Sequence, residues 1–178
     1  MSALIPITSP EQAHPGLMDQ ILTAGGVFHC RGVYGERMVQ ITQSLAMPKE
    51  GENVLAESFA DSAETALIIA IGACVLQEDE GGYLGRIETS EQSRSKPFSS
   101  IFDFMVWNGY VTVFFNRTTG TFNAATSRGV DISKPPLQES AGTGLAAITK
   151  LTEVAWKKKR FGKDARLLKK LPSINIPH

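Results

Sequence analysis

Cysteine and histidine are scarce in this 178-residue chain: two cysteines, Cys30 and Cys74, and three histidines, His14, His29 and His178. Two cysteines without paired spacing indicate neither a disulfide framework nor a four-ligand zinc site, and a reducing, cytoplasmic compartment fits that usage. No metal and no cofactor is expected. A secretion signal is not expected either, because residues 1–10 have no basic start and no long apolar stretch. The longest apolar run, residues 66–76, is eleven residues, against the ~20 that span a bilayer. No nucleophile elbow, Walker loop or zincin motif occurs, and no repeat at a solenoid period is visible. Without a secretion signal, the sequon Asn116-Arg117-Thr118 reads as a chance match.

Net charge is missing too, since 18 basic and 18 acidic residues cancel. The balance is uneven along the chain. Residues 150–170 hold nine cations against Glu153 and Asp164, a local charge of +7 that leaves −7 for the remainder. Such a division marks an element that engages nucleic acid, an anionic membrane surface, an acidic partner or the protein's own acidic body. A solvated helix end is the plain alternative, because the helix dipole favours cations in a last turn. Lys157, Lys158, Lys159, Arg160, Lys163, Arg166, Lys169 and Lys170 are the candidate polyanion-binding residues.

Aromatic residues are what the chain concentrates. Eight of fourteen fall between Phe98 and Phe122, where only Asp103 and Arg117 are charged. Asn108-Gly109 between two β-forming runs predicts a two-residue hairpin that sets Trp107 opposite Tyr110 and Met105 opposite Thr112. One face then carries Phe102, Phe104, Val106, Val111, Val113 and Phe115, all apolar, toward the core. The other mixes Met105, Trp107, Tyr110 and Phe114 with Asp103 and Thr112. Those four large side chains are the candidate interface, with internal packing as the alternative.

Around this centre the pattern predicts a helix over 10–22, strands over 27–34, 37–45 and 54–59, and a helix over 66–76 led by the near-capping box Asp61-Ser62-Ala63-Glu64. A strand over 83–89, a polar loop over 90–97 and a strand over 121–127 follow. After a break at Lys134-Pro135-Pro136, a final helix runs from Thr143 to a stop at Gly162, and a short helix covers part of 163–171. The fold class is α+β, a mostly antiparallel sheet covered by helices on at least one face, in the order α-β-β-(β)-α-(β)-β-β-β-α. One domain spans 1–178, with an arm at 1–9, a body at 10–149 and a basic C-terminal helix and tail at 150–178. That order resembles the roadblock and profilin-like arrangement and that of some type III secretion chaperones, and the resemblance implies a binding module.

Residues able to do chemistry are few. His29 and Cys30 are neighbours, so on a strand they point to opposite faces and do not form a base–nucleophile pair. Cys74 reads as a small core residue. Glu78, Asp79 and Glu80, with Glu88 nearby, lack the alternating ligand spacing of a calcium loop. Gly142-Thr143-Gly144 offers a weak anion site at a helix start.

Three functions remain. A binding or assembly module acting through protein–protein contacts leads, and a homo-oligomer is expected. The alternative is a module for single-stranded DNA or RNA, in which Trp107, Tyr110 or Phe114 stacks bases while the basic segment neutralises phosphates. Third is an enzyme built from loops 90–97 or 128–136, whose mark is Asp103 facing a second carboxylate of raised pKa in a closed pocket. No catalytic residue is assigned.

Overall fold

The computed structural model describes residues 15–46, 48–49, 54–75, 83–86, 98–128 and 136–176. The predicted arm, the start of the first helix, the acidic run 78–80 with Glu88, the loop 90–97 and the Lys134-Pro135 break lie outside these residues. Helix α1 (Pro15–Thr23) leads into β1 (Val27–Val33), β2 (Glu36–Thr42) and β3 (Ala56–Ala60), a three-strand meander. Helix α2 (Ala63–Val75) follows, then the short β4 (Tyr83–Arg86), which lies parallel to β3 at the sheet edge. Helix α3 (Ile101–Asn108) opens a second meander of β5 (Tyr110–Asn116), β6 (Thr121–Arg128) and β7 (Leu137–Ala141). Helix α4 (Gly144–Lys157), a 3₁₀ turn at Gly162–Asp164 and α5 (Ala165–Leu168) close the chain. The α+β class holds: six strands pair antiparallel, with helices on one face.

The strand order β4-β3-β2-β1-β5-β6-β7 mirrors itself about the β1–β5 pair once β4 is set aside. Each half is a helix, three antiparallel strands and a helix. Strand lengths of 7, 7 and 5 residues in the first half answer 7, 8 and 5 in the second. Alternation along the strands sends Phe28, Cys30, Val39, Ile41, Val111, Val113 and Ala124 to one face, where they share a single core with Met18, Leu22, Leu67, Phe102, Ile148 and Leu151 of the helices. The reverse face carries His29, Arg31, Met38, Gln40, Thr42, Tyr110, Thr112, Phe114 and Asn123.

The predicted hairpin at Asn108-Gly109 does not form, because residues 101–108 are a helix. Ser100 caps it, its hydroxyl accepting from Asp103 N–H at 2.9 Å. A helical turn buries Phe102, Met105 and Val106 together, which an alternating strand cannot do. Asn108-Gly109 acts as a stop signal instead: the Asn108 amide donates to the Phe104 carbonyl at 3.0 Å, and Gly109 N–H points back to Val106. Strand β5 survives the correction, with Val111 and Val113 in the core as expected.

Helix α2 starts three residues before the predicted Ala66, and α4 starts at its predicted position. Thr143 caps α4 by accepting from Ala146 N–H at 3.1 Å. The helix ends at Lys157, ahead of the expected stop at Gly162, whose positive φ of 52° instead opens the 3₁₀ turn. No described helix is long and apolar enough to cross a membrane.

Candidate functional site

Arg37 on β2 is a cation on a strand face that otherwise carries Val39 and Ile41, so it needs an acid inside the protein. Asp103 in the first turn of α3 supplies it, accepting from Arg37 Nε at 2.8 Å and Nη2 at 3.1 Å. The same carboxylate accepts Ala63 N–H at 2.8 Å and Ser99 N–H at 3.1 Å. Above the guanidinium lie the rings of Trp107, 4.5 Å from its carbon, and Phe98, at 5.4 Å. Beside this pair the buried Glu64 accepts the hydroxyls of Ser99, at 2.6 Å, and Ser100, and the N–H of Asn175 at 3.3 Å. Burial pushes the Glu64 carboxyl above its usual range; the serine hydrogen bonds oppose that shift and the charge of Asp103 adds to it.

Asp103 thus faces a second carboxylate of raised pKa, which was the mark set for an enzyme. All four carboxylate oxygens are engaged by donors of the chain itself. Arg37, Ala63 and Glu64 come from the first half of the fold, and Ser99, Ser100, Asp103 and Asn175 from the second. The cluster is therefore the polar joint between the halves. The carbonyls of Pro172 and Ser173 accept from Ile101 and Phe102 N–H, both at 3.0 Å, and seat the C-terminal segment on the same helix start.

His29 is fully buried on the reverse face. Its Nε2 lies 3.0 Å from the Ser44 carbonyl, an acceptor only, so that nitrogen carries the proton. Its Nδ1 then accepts the Tyr110 hydroxyl. Burial lowers the pKa of His29, with the Ser44 carbonyl opposing and the charge of Arg31 assisting, so the ring is neutral. Cys30 lies on the opposite, core face, where burial pushes its thiol up to about 12. The two neighbours are not brought together, as their strand spacing requires. The helix start at Gly142-Thr143-Gly144 is also taken, since Gly144 N–H donates to the Asp19 carboxylate at 2.8 Å.

The four candidate interface residues do not share a surface. Met105 is fully buried in the core, the internal packing weighed against an interface, because helix α3 turns it inward. Trp107 is 37% exposed at the end of that helix. Tyr110 and Phe114 lie half-buried on the reverse face of the sheet. The predicted ring of Trp107 opposite Tyr110 vanishes with the hairpin that required it. Tyr34 is fully exposed at the tip of the β1–β2 turn, and a Cβ added to the adjoining Gly35 would lie 3.9 Å from Trp107 Cη2.

The basic segment is largely exposed, and its Lys157 and Lys169 line one cleft. Lys157, Lys158, Lys159, Lys163, Arg166, Lys169 and Lys170 are exposed, and none of the seven makes an ion pair within the described residues. Arg160 is the exception, buried to 9% exposure and engaged with the protein. Helix α4 and the C-terminal segment enclose this cleft of about 440 Å³. Its apolar floor and walls are Ile101, Trp156, Leu168 and Leu171. Lys157 and Lys169 edge it, with Glu153 and Ser173. Trp156 was legible in the sequence only as part of the helix stripe; its partner Phe161, 6.0 Å away ring to ring, holds it in place.

No protein-family model matches the chain, and neither does any curated protein or solved structure.

Proposed function

We propose that this protein is a binding module whose basic C-terminal surface engages a polyanionic partner. The observation that supports it is the set of seven exposed cations between Lys157 and Lys170 that lack acidic partners within the described residues. Cations left unpaired on one rigid element attract phosphates or carboxylates and release counterions when they bind. A titration against a fluorescent single-stranded oligonucleotide at 50 and 200 mM salt tests the reading. Binding that weakens steeply with salt is expected; no binding at low salt to the oligonucleotide, to an acidic peptide or to anionic vesicles overturns it.

A second reading, self-assembly through protein contacts, is favoured by Tyr34. This residue stands fully exposed with φ at +48°, a backbone region that suits Asn or Gly, and the adjoining Gly35 lies close to the partly exposed Trp107. A large aromatic held in that conformation at a turn tip fits a contact residue. Extension of the sheet through β7 is a poorer route, because Lys150 Nζ sits 3.3 Å from the Ser140 carbonyl and 3.8 Å from Glu139, placing a cation on that strand. Light scattering after size exclusion separates the readings: an oligomer that Trp107→Ala reduces to folded monomers supports self-assembly, and a monomer at all concentrations removes it.

A further inference from the structure

The cleft between α4 and the C-terminal segment combines two chemistries that the basic surface alone lacks. Trp156 offers a half-buried indole with Phe161 packed behind it, and the floor is the apolar Ile101 and Leu168. Lys157 and Lys169 stand exposed at its edge. A cleft of about 440 Å³ with a mixed apolar and polar lining and with Lys157 and Lys169 at its edge fits a ligand with a flat body and a negative charge close beside it. A nucleotide unit of a single strand has that form, since each base carries a π-face and each linkage a phosphate. Duplex DNA hides its bases in the stack, so a slot of this kind is matched to unpaired strands.

We infer that this cleft is a base-binding site for single-stranded nucleic acid, with the base against Trp156 and the flanking phosphates on Lys157 and Lys169. The inference rests on the polyanion reading above and adds the aromatic element to it. It assigns the stacking role to Trp156, in place of Trp107, Tyr110 and Phe114. Glu153 at the same edge repels phosphate and limits the approach to the lysine side.

The test compares fluorescence anisotropy of labelled oligothymidylate with an abasic oligodeoxynucleotide of equal length, which keeps the phosphates and lacks the bases. Wild-type protein is expected to bind the thymidylate about tenfold more tightly. Trp156→Ala abolishes that preference while leaving abasic binding unchanged, and Trp156→Phe retains most of it. The Lys157→Ala/Lys169→Ala pair weakens both ligands and reduces the slope of log affinity on log salt by about 1.4, at roughly 0.7 per phosphate contact. Circular dichroism checks that each variant is folded; should Trp156→Ala not fold, Trp156→Phe and the lysine pair carry the test. Equal binding of both oligomers overturns the base site and spares the polyanion reading. Failure of both to bind at low salt, or binding only to an acidic peptide or to anionic vesicles, overturns the base site, and silence toward every polyanion overturns both.

Discussion

Removing the Asp103 carboxylate by Asp103→Ala tests the joint between the two halves. The side chain is 1% exposed and accepts four hydrogen bonds, two from Arg37 and one each from Ala63 and Ser99 N–H. Its loss leaves a guanidinium at 10% side-chain exposure with no carboxylate, and two backbone donors without their acceptor. Breaking a buried pair in this way costs about 3–5 kcal/mol, a large share of the roughly 5–15 kcal/mol that holds a domain folded. Arg37→Met is expected to cost less, because Asp103 keeps the Ala63 and Ser99 donors, whereas Arg37 in the alanine variant keeps only the Trp107 and Phe98 rings. Urea denaturation followed by tryptophan fluorescence reads both costs, and Trp107 emission reports whether the guanidinium still lies beneath its ring. An Asp103→Ala cost under about 1 kcal/mol, or a larger cost for Arg37→Met, refutes the assignment of the carboxylate as the organising group.

Three further outcomes are expected. Glu64 has a raised pKa, so the folded state holds its proton more tightly than the unfolded state. Its contribution to stability is then greatest at acid pH and declines as pH rises from the ordinary glutamate value through the raised one; Glu64→Gln flattens that decline in denaturation midpoints taken at several pH values, and an unchanged slope contradicts the assignment. Gly32→Ala places a Cβ against the backbone carbonyl of Trp107, which has no flexible end to move aside, so the β1–α3 contact opens and stability falls by about 1–3 kcal/mol; a melting temperature equal to wild type contradicts the close packing. Tyr34→Asn relieves the left-handed strain and is expected to raise stability by up to about 1 kcal/mol, which thermal denaturation measures, while lowering any self-association seen by light scattering.

The α+β class, the first meander and the start of α4 were legible because each rests on a local signal: alternation in residues 37–45, Thr143 before the α4 stripe; α2 was legible as an apolar run, but Ser62 and not Asp61 accepts at its start, from Thr65 N–H. The region 98–110 misled for an equally local reason. Asn-Gly between aromatic runs has the chemistry of a tight turn, and aromatic and β-branched residues favour strands, yet Ser100-Ile101-Phe102-Asp103 is also a helix cap. Tertiary context decided between them, since Asp103 has its partners only when a helix presents it to Arg37 and Ala63. Those partners sit 66 and 40 residues away in the chain, beyond any periodicity. The basic surface was readable as a charge run. Its cleft was not, because Ile101 and Leu168 reach it from elements that only folding brings together.

The mirrored strand order gives the chain the build of two lookalike modules clasped along one seam, β1 against β5. A cut placed between residues 75 and 98 therefore leaves two fragments, each with its own meander and each with one raw strand edge. Beside that seam the Arg37 side chain of one fragment meets the Asp103 carboxylate of the other, so the pieces, made separately, are expected to find each other in the native alignment. A protein divisible in this manner is a natural reporter scaffold: its reunion can be made conditional on whatever brings the two pieces near.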